Sequence, residues 1–136
     1  MFKVIFIFLI CLKIVSTSKP QVGKFASSTF IVEQNESFLL SCNILKGSKP
    51  IRFEWYKNGL KLSSSSRLVL ETKSSSSSLT IDVMQMDHSG NYSCRAQNSY
   101  GFDEVFTILQ VKGLFCICYS LIYDFSPQCG ARNVLN

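Results

Sequence analysis

The sequence predicts an all-β fold: a sandwich of two sheets joined by one inter-sheet disulfide, spanning residues 20–112. Three observations lead there. Between Lys19 and Lys112, short runs of alternating apolar and polar residues are separated by turn-forming residues, and no helical period of useful length occurs. Cys42, Trp55 thirteen residues later, and Cys94 fit an arrangement in which two cysteines on facing sheets are bonded and a tryptophan packs against the bond. Tyr92 stands two residues before Cys94, where a phenol can turn back and hydrogen-bond the backbone of the preceding corner. Each residue type alone is ordinary core material. Their order and separation carry the prediction.

Residues 1–18 read as a signal peptide. Lys3 supplies the charged start, Val4 to Leu12 the apolar stretch, and Ser16, Thr17 and Ser18 the small residues at which a peptidase can cut. The stretch stops at Lys13, short of the ~20 apolar residues a bilayer-spanning helix needs. Export to an oxidising compartment lets a disulfide persist. Pro20 to Phe25 then reads as a first edge strand, where proline's missing N–H does no harm. Thr29 to Val32 follows, and Glu33-Gln34-Asn35-Glu36 turns the chain into the next strand. There Phe38, Leu40 and Cys42 face one way, and Ser37, Leu39 and Ser41 the other. In the next strand Ile51, Phe53 and Trp55 face inward while Arg52, Glu54 and Tyr56 face out. Asn58-Gly59 is a type I′ hairpin signal, because both central residues of that turn need positive φ.

Leu60 to Leu62 is the return strand. The serine runs Ser63 to Ser66 and Ser74 to Ser78 read as flexible turns on either side of an edge strand from Arg67 to Glu71. Leu79 and Ile81 are inward positions, and Met84 fills the core before the corner. Asn91 to Gln97 is the strand carrying Tyr92 and Cys94. Asn98-Ser99-Tyr100-Gly101 makes a hairpin into a last strand with Val105, Thr107, Leu109 and Val111 on one face and Phe106 and Ile108 on the other. The expected core therefore includes Leu40, Phe53, Trp55, Leu79, Ile81 and Tyr92.

Composition excludes some functions. The formal charge of +5 falls to about +3 without Lys3 and Lys13, too little and too scattered for a nucleic-acid or anionic-membrane partner. A single histidine, His88, sits at a corner with a structural role, so no base and nucleophile pair is available and the chain is not read as an enzyme. Cys116-x-Cys118 with Cys129 matches no standard zinc spacing, and neither metal nor cofactor nor small-molecule substrate is expected. Asn35-Glu36-Ser37 and Asn91-Tyr92-Ser93 are N-glycosylation acceptors at expected turns, so Asn35 and Asn91 are candidate glycan sites. Arg52, Tyr56, Phe106 and Ile108 would share the outer side of one sheet and form a candidate protein interface.

The order Cys42, Trp55, Leu79-x-Ile81, Gly90-x-Tyr92-x-Cys94 and Ala96-x-Asn98-x-x-Gly101 resembles an immunoglobulin domain of the I-set, over Pro20 to Lys112. One position departs: that family has Asp where His88 stands, paired with an Arg for which Arg67 is the counterpart here, so the ion pair is in question. Ser78-Leu79-Thr80-Ile81 together with His88 to Cys94 is similar to the arthropod Down syndrome cell adhesion molecule family. That resemblance implies a cell-surface recognition receptor binding copies of itself, as in axon guidance and dendrite self-avoidance. The alternative is a secreted single-domain protein that binds a different target in immune recognition. The fold by itself licenses only a binding module.

After Lys112 the character of the chain changes. Residues 113–136, with an apolar run from Leu114 to Tyr123, are expected to be a non-homologous, disordered tail that supplies no membrane anchor. Cys116, Cys118 and Cys129 are left without assigned partners, and an intermolecular pairing is one reading of them.

Overall fold

A computed structural model describes residues 17–113. The expected signal peptide up to Ser16 and the expected tail from Leu114, with Cys11, Cys116, Cys118 and Cys129, lie outside the described residues. Nine strands follow in chain order: β1 (Gln21–Val22), β2 (Thr29–Glu33), β3 (Phe38–Lys46), β4 (Arg52–Lys57), β5 (Leu60–Lys61), β6 (Leu68–Thr72), β7 (Ser76–Ile81), β8 (Gly90–Asn98) and β9 (Gly101–Lys112). They form a four-stranded sheet in the order β1-β3-β7-β6 and a five-stranded sheet in the order β2-β9-β8-β4-β5. All pairings are antiparallel except β2 with β9.

Alternation along each strand decides what lies between the sheets. Leu40 and Cys42 of β3 and Leu79 and Ile81 of β7 face Trp55 of β4, Tyr92, Cys94 and Ala96 of β8, and Leu109 and Val111 of β9, all of them buried. Cys42 is bonded to Cys94 across the sandwich, with Cα atoms 6.3 Å apart. Trp55 is in register with Cys94, so its indole lies beside that bond, and Phe25 stacks on it with ring centroids 6.2 Å apart. Phe53 is only partly buried. It sits where β4 opens onto a shallow cleft shared with Pro50, Ile51, Thr72 and Gln97, so solvent reaches one side of its ring.

The turns follow local chemistry. Asn58 and Gly59 have φ of 49° and 80° and join β4 to β5, as a type I′ turn requires. The pair Asn98 and Gly101 closes the β8–β9 hairpin around Ser99 and Tyr100. At the corner before β8, the Tyr92 hydroxyl donates to the His88 carbonyl at 2.8 Å, and His88 Nδ1 accepts the Gln85 N–H at 2.9 Å. The ion pairs among the described residues are Lys61–Glu54 and Arg95–Glu104, so Arg67 makes no ionic link to this corner.

Two expectations are corrected. The second serine run is not a flexible turn throughout: Ser76, Ser77 and Ser78 belong to β7, opposite Asn43, Cys42 and Ser41. Ser77 continues the inward phase of Leu79 and Ile81 and is buried, its hydroxyl bonded to the Trp55 indole. Asn91, read both as the first residue of its strand and as a turn acceptor, is on β8, which begins at Gly90, and not in a turn. Its N–H donates to Asn58 Oδ1 at 2.8 Å and its carbonyl accepts the Asn58 N–H at 2.7 Å.

Candidate protein-binding face

The outer side of the five-stranded sheet carries the exposed aromatic and apolar residues that could meet a partner. Strand registers arrange it in rows. Arg52, Gln97 and Phe102 form one row, Glu54, Arg95 and Glu104 the next, then Tyr56, Ser93 and Phe106, and finally Asn91 and Ile108, with Thr29 of β2 beside Ile108. At about 3.3 Å per residue, the six-residue step from Phe102 to Ile108 makes the face about 20 Å long. Phe102, Phe106, Ile108 and Ile31 are 53%, 57%, 46% and 56% exposed, so apolar groups stand in solvent on either side of the charged middle row.

Arg95 organises the middle. Its guanidinium carbon lies 5.1 Å from the Tyr56 ring centroid and 4.9 Å from that of Phe102, a cation–π contact on both sides. Glu104 Oε2 accepts from Arg95 Nη2 at 2.9 Å and Nε at 3.2 Å, while its other oxygen accepts from the Ser93 hydroxyl at 2.7 Å. The hydrogen bond to Glu104 raises the Arg95 pKa above its ordinary value, in a side chain that is always charged. Beside it, Tyr56 donates to Glu54 Oε2 at 2.8 Å and Lys61 Nζ to Glu54 Oε1 at 2.5 Å. The Lys61 bond first, then that from Tyr56, holds the Glu54 carboxyl below the usual range. The same Glu54 bond raises the Tyr56 phenol. Glu54, Tyr56, Lys61, Ser93, Arg95 and Glu104 are thus paired with one another and held in place, while the aromatic edges remain free.

The four candidate interface residues, Arg52, Tyr56, Phe106 and Ile108, lie together on this face. Sequence reasoning missed Arg95, Glu104, Phe102 and Ile31. The signal was present in the alternation: Phe102 and Glu104 are in phase with Phe106, and Arg95 is in the outward phase of a strand whose Tyr92 and Cys94 point in. Among the candidate glycan sites, Asn35 is exposed in the β2–β3 turn with φ of 72°, and Asn91 is exposed on the face itself, opposite Ile108. No helix of the described residues is long and apolar enough to cross a membrane.

Comparison with known proteins places this geometry. The immunoglobulin I-set domain family matches residues 20–111. The human cell adhesion molecule DSCAML1 is 38% identical over 60 residues, 44% of this chain and 3% of the relative. The human hepatic and glial cell adhesion molecule is 30% identical over 116 residues, 76% of this chain and 27% of the relative. Cell adhesion molecule Dscam2 of Drosophila melanogaster is 31% identical, covering 63% of this chain and 4% of the relative. The chain therefore spans a small part of the curated relatives it matches. Among solved structures, the titin I-band fragment I67–I69 superposes with a TM-score of 0.65 at 30% identity, covering 70% of this chain and 33% of that one. The Dscam1 Ig7 domain, isoform 9, does so with 0.63 at 28%, covering 69% of this chain and all of that one.

Proposed function

Because the chain belongs to the immunoglobulin I-set family, whose matched members are adhesion and structural proteins, we propose that it is an extracellular adhesion module that binds a second copy of itself on an opposing cell. The face formed by Arg52, Tyr56, Phe102, Phe106 and Ile108 makes the contact. The observation that carries this reading is the row of exposed aromatic and apolar side chains around a pre-paired Arg95. Aromatic residues and arginine are enriched where protein contacts are strongest; aromatic rings bury much surface for little lost rotamer freedom, and Arg95, whose long side chain would otherwise lose more, is already ordered between two rings. Similarity to adhesion molecules supports the direction of the proposal, and the partner's nature is the part to be tested.

The test is bead aggregation with the purified chain coupled at a defined density. Beads carrying the wild-type chain should clump, and those carrying Tyr56→Ala with Phe102→Ala should not, while both proteins melt at similar temperatures. Dispersed wild-type beads would rule out self-binding. Clumping that survives the double substitution would move the contact to another surface.

A further inference from the structure

We infer that Asn91 carries an N-linked glycan whose first sugars lie on Phe106 and Ile108, so that carbohydrate covers one end of the outer sheet face and leaves the Arg52–Gln97–Phe102 end open to protein. This rests on the binding face proposed above and assigns its regulation.

The placement follows from strand geometry. In the acceptor Asn91-Tyr92-Ser93, Tyr92 is buried while Asn91 is exposed on the outer side. Ser93 is buried too, with its hydroxyl on Glu104, but transfer takes place on the extended nascent chain before that hydroxyl is engaged. Asn91 is held through its backbone by two hydrogen bonds to Asn58, and none of the hydrogen bonds among the described residues uses its side-chain amide. Attaching a sugar there breaks no hydrogen bond among the described residues.

Its neighbours are what single it out. Asn91 is in register with Ile108, and Phe106 is its diagonal neighbour, opposite Ser93. Cross-strand pairs have Cβ atoms about 5 Å apart and diagonal pairs about 7–8 Å, within reach of the first sugars. Ile108 and Phe106 are 46% and 57% exposed, an apolar shelf beside a residue that can carry a large solubilising group. N-acetylglucosamine presents axial C–H groups and an acetyl methyl, which suit an aromatic ring and a branched aliphatic chain. The other acceptor, Asn35, lies in an exposed turn closed by the Glu36 N–H on the Glu33 carbonyl, away from the outer sheet face. Occupancy at Asn91 then sets how much of the face a partner can reach.

The test directs the full chain into the secretory pathway of insect cells with an added leader, as wild type, Asn35→Gln, Asn91→Gln, and Asn35→Gln carrying Phe106→Ala and Ile108→Ala. Peptide mapping should find a glycan on Asn91. Enzymatic removal from the Asn35→Gln protein should lower its Tm by several degrees and increase binding of a hydrophobic dye. The same treatment of the protein that also lacks Phe106 and Ile108 should change neither, and the aspartate left by the enzyme is common to both. An unmodified Asn91, or an equal drop in Tm with and without the apolar pair, overturns the inference. On beads, Asn91→Gln should clump more strongly than wild type, and equal clumping overturns the covering role. If no beads clump at all, the self-binding proposal fails, while mapping and melts still decide the glycan.

Discussion

Replacing Ser77 by alanine should cost the domain about 2 kcal/mol, although Ser77 lies in a run of five serines that reads as a flexible turn. Its Oγ accepts the Trp55 indole N–H at 2.9 Å and donates to the Glu71 carbonyl at 2.9 Å, with Thr72 Oγ1 at 3.2 Å. Both Ser77 and Trp55 are 2% exposed, so water cannot replace the missing oxygen. Leaving a buried donor without an acceptor costs about 1–3 kcal/mol. The Glu71 carbonyl adds little to this, because Glu71 is exposed and water can replace the lost donor. Alanine fits the space, so neither a clash nor a large cavity contributes. At about 4–8 °C per kcal/mol for a domain of this size, Tm should fall by about 8–16 °C. The chain has one tryptophan, so its fluorescence in a urea or thermal melt reports on the site directly. Ser74→Ala, exposed in the same run, should stay within about 0.5 kcal/mol of wild type. In a Trp55→Phe background Ser77→Ala should lose most of its cost, because no indole N–H is left to satisfy. A Ser77→Ala protein as stable as Ser74→Ala would refute the reasoning.

Removing the Cys42–Cys94 bond by a double alanine substitution should cost about 2–5 kcal/mol, and non-reducing peptide mapping should find these two cysteines joined to each other and not to Cys116, Cys118 or Cys129. Trp55→Ala should cost about 3–5 kcal/mol, since it empties the centre of the core beside that bond. Phe106→Ala, on the exposed face, should be mild in protein made without glycans, and thermal melts will rank the two. Burial first, with the Asp87 charge adding to it, pushes the Tyr92 phenol up to about 12 from 10.0. Its contribution to stability is therefore complete below pH 10 and lost as the pH rises toward 12. Urea midpoints should fall across that window, and less steeply in Tyr92→Phe.

Much of this fold is legible because its strongest signals are local or have fixed spacing. Leu40, Leu79, Ile81 and Leu109 are inward because alternation leaves them no other face, and Asn58-Gly59 dictates its own turn. The Ser77 misreading shows where composition misleads. Serine is common in turns, but the inward phase of Leu79 and Ile81 runs straight back to Ser77, and a tryptophan buried between sheets needs an acceptor. Parts of the face were also available: the two-residue turn at Ser99 and Tyr100 pairs Asn98 with Gly101, which places Arg95 opposite Glu104 and Gln97 opposite Phe102. The stacking of Tyr56 on Arg95 was not available in this way, because the β4–β8 register depends on contacts between strands some forty residues apart, the packing of Trp55 beside Cys94 and the hydrogen bonds between Asn58 and Asn91.

The glycine of the corner motif can be explained by the same long-range packing. Gly90 has φ of +157°, and a Cβ built there would lie 2.8 Å from Asn58 Oδ1 and 3.1 Å from Lys57 Cε. Lys57 Nζ bonds the Asp87 carbonyl and Asn58 Oδ1 accepts the Asn91 N–H, so the β4–β5 turn is tied to the start of β8 where a side chain would intrude. Gly90→Ala should cost about 1–3 kcal/mol from the backbone conformation alone. Displacing the Asn58 amide adds a part of one exposed hydrogen bond, about 0.5–1 kcal/mol because water can replace it. In an Asn58→Gly background the turn keeps its positive φ and the clash with the Asn58 amide is gone, leaving only the Lys57 Cε contact at 3.1 Å, which the end of a flexible side chain can relieve, so the alanine should cost little beyond the conformational part. Gly23→Ala is the control: its Cβ would meet nothing closer than 3.5 Å, and urea melts should place it near wild type. Equal losses at the two glycines would mean that the corner tolerates a side chain. A larger loss at Gly90 should bring faster amide exchange at Asn91, because that N–H depends on the displaced oxygen.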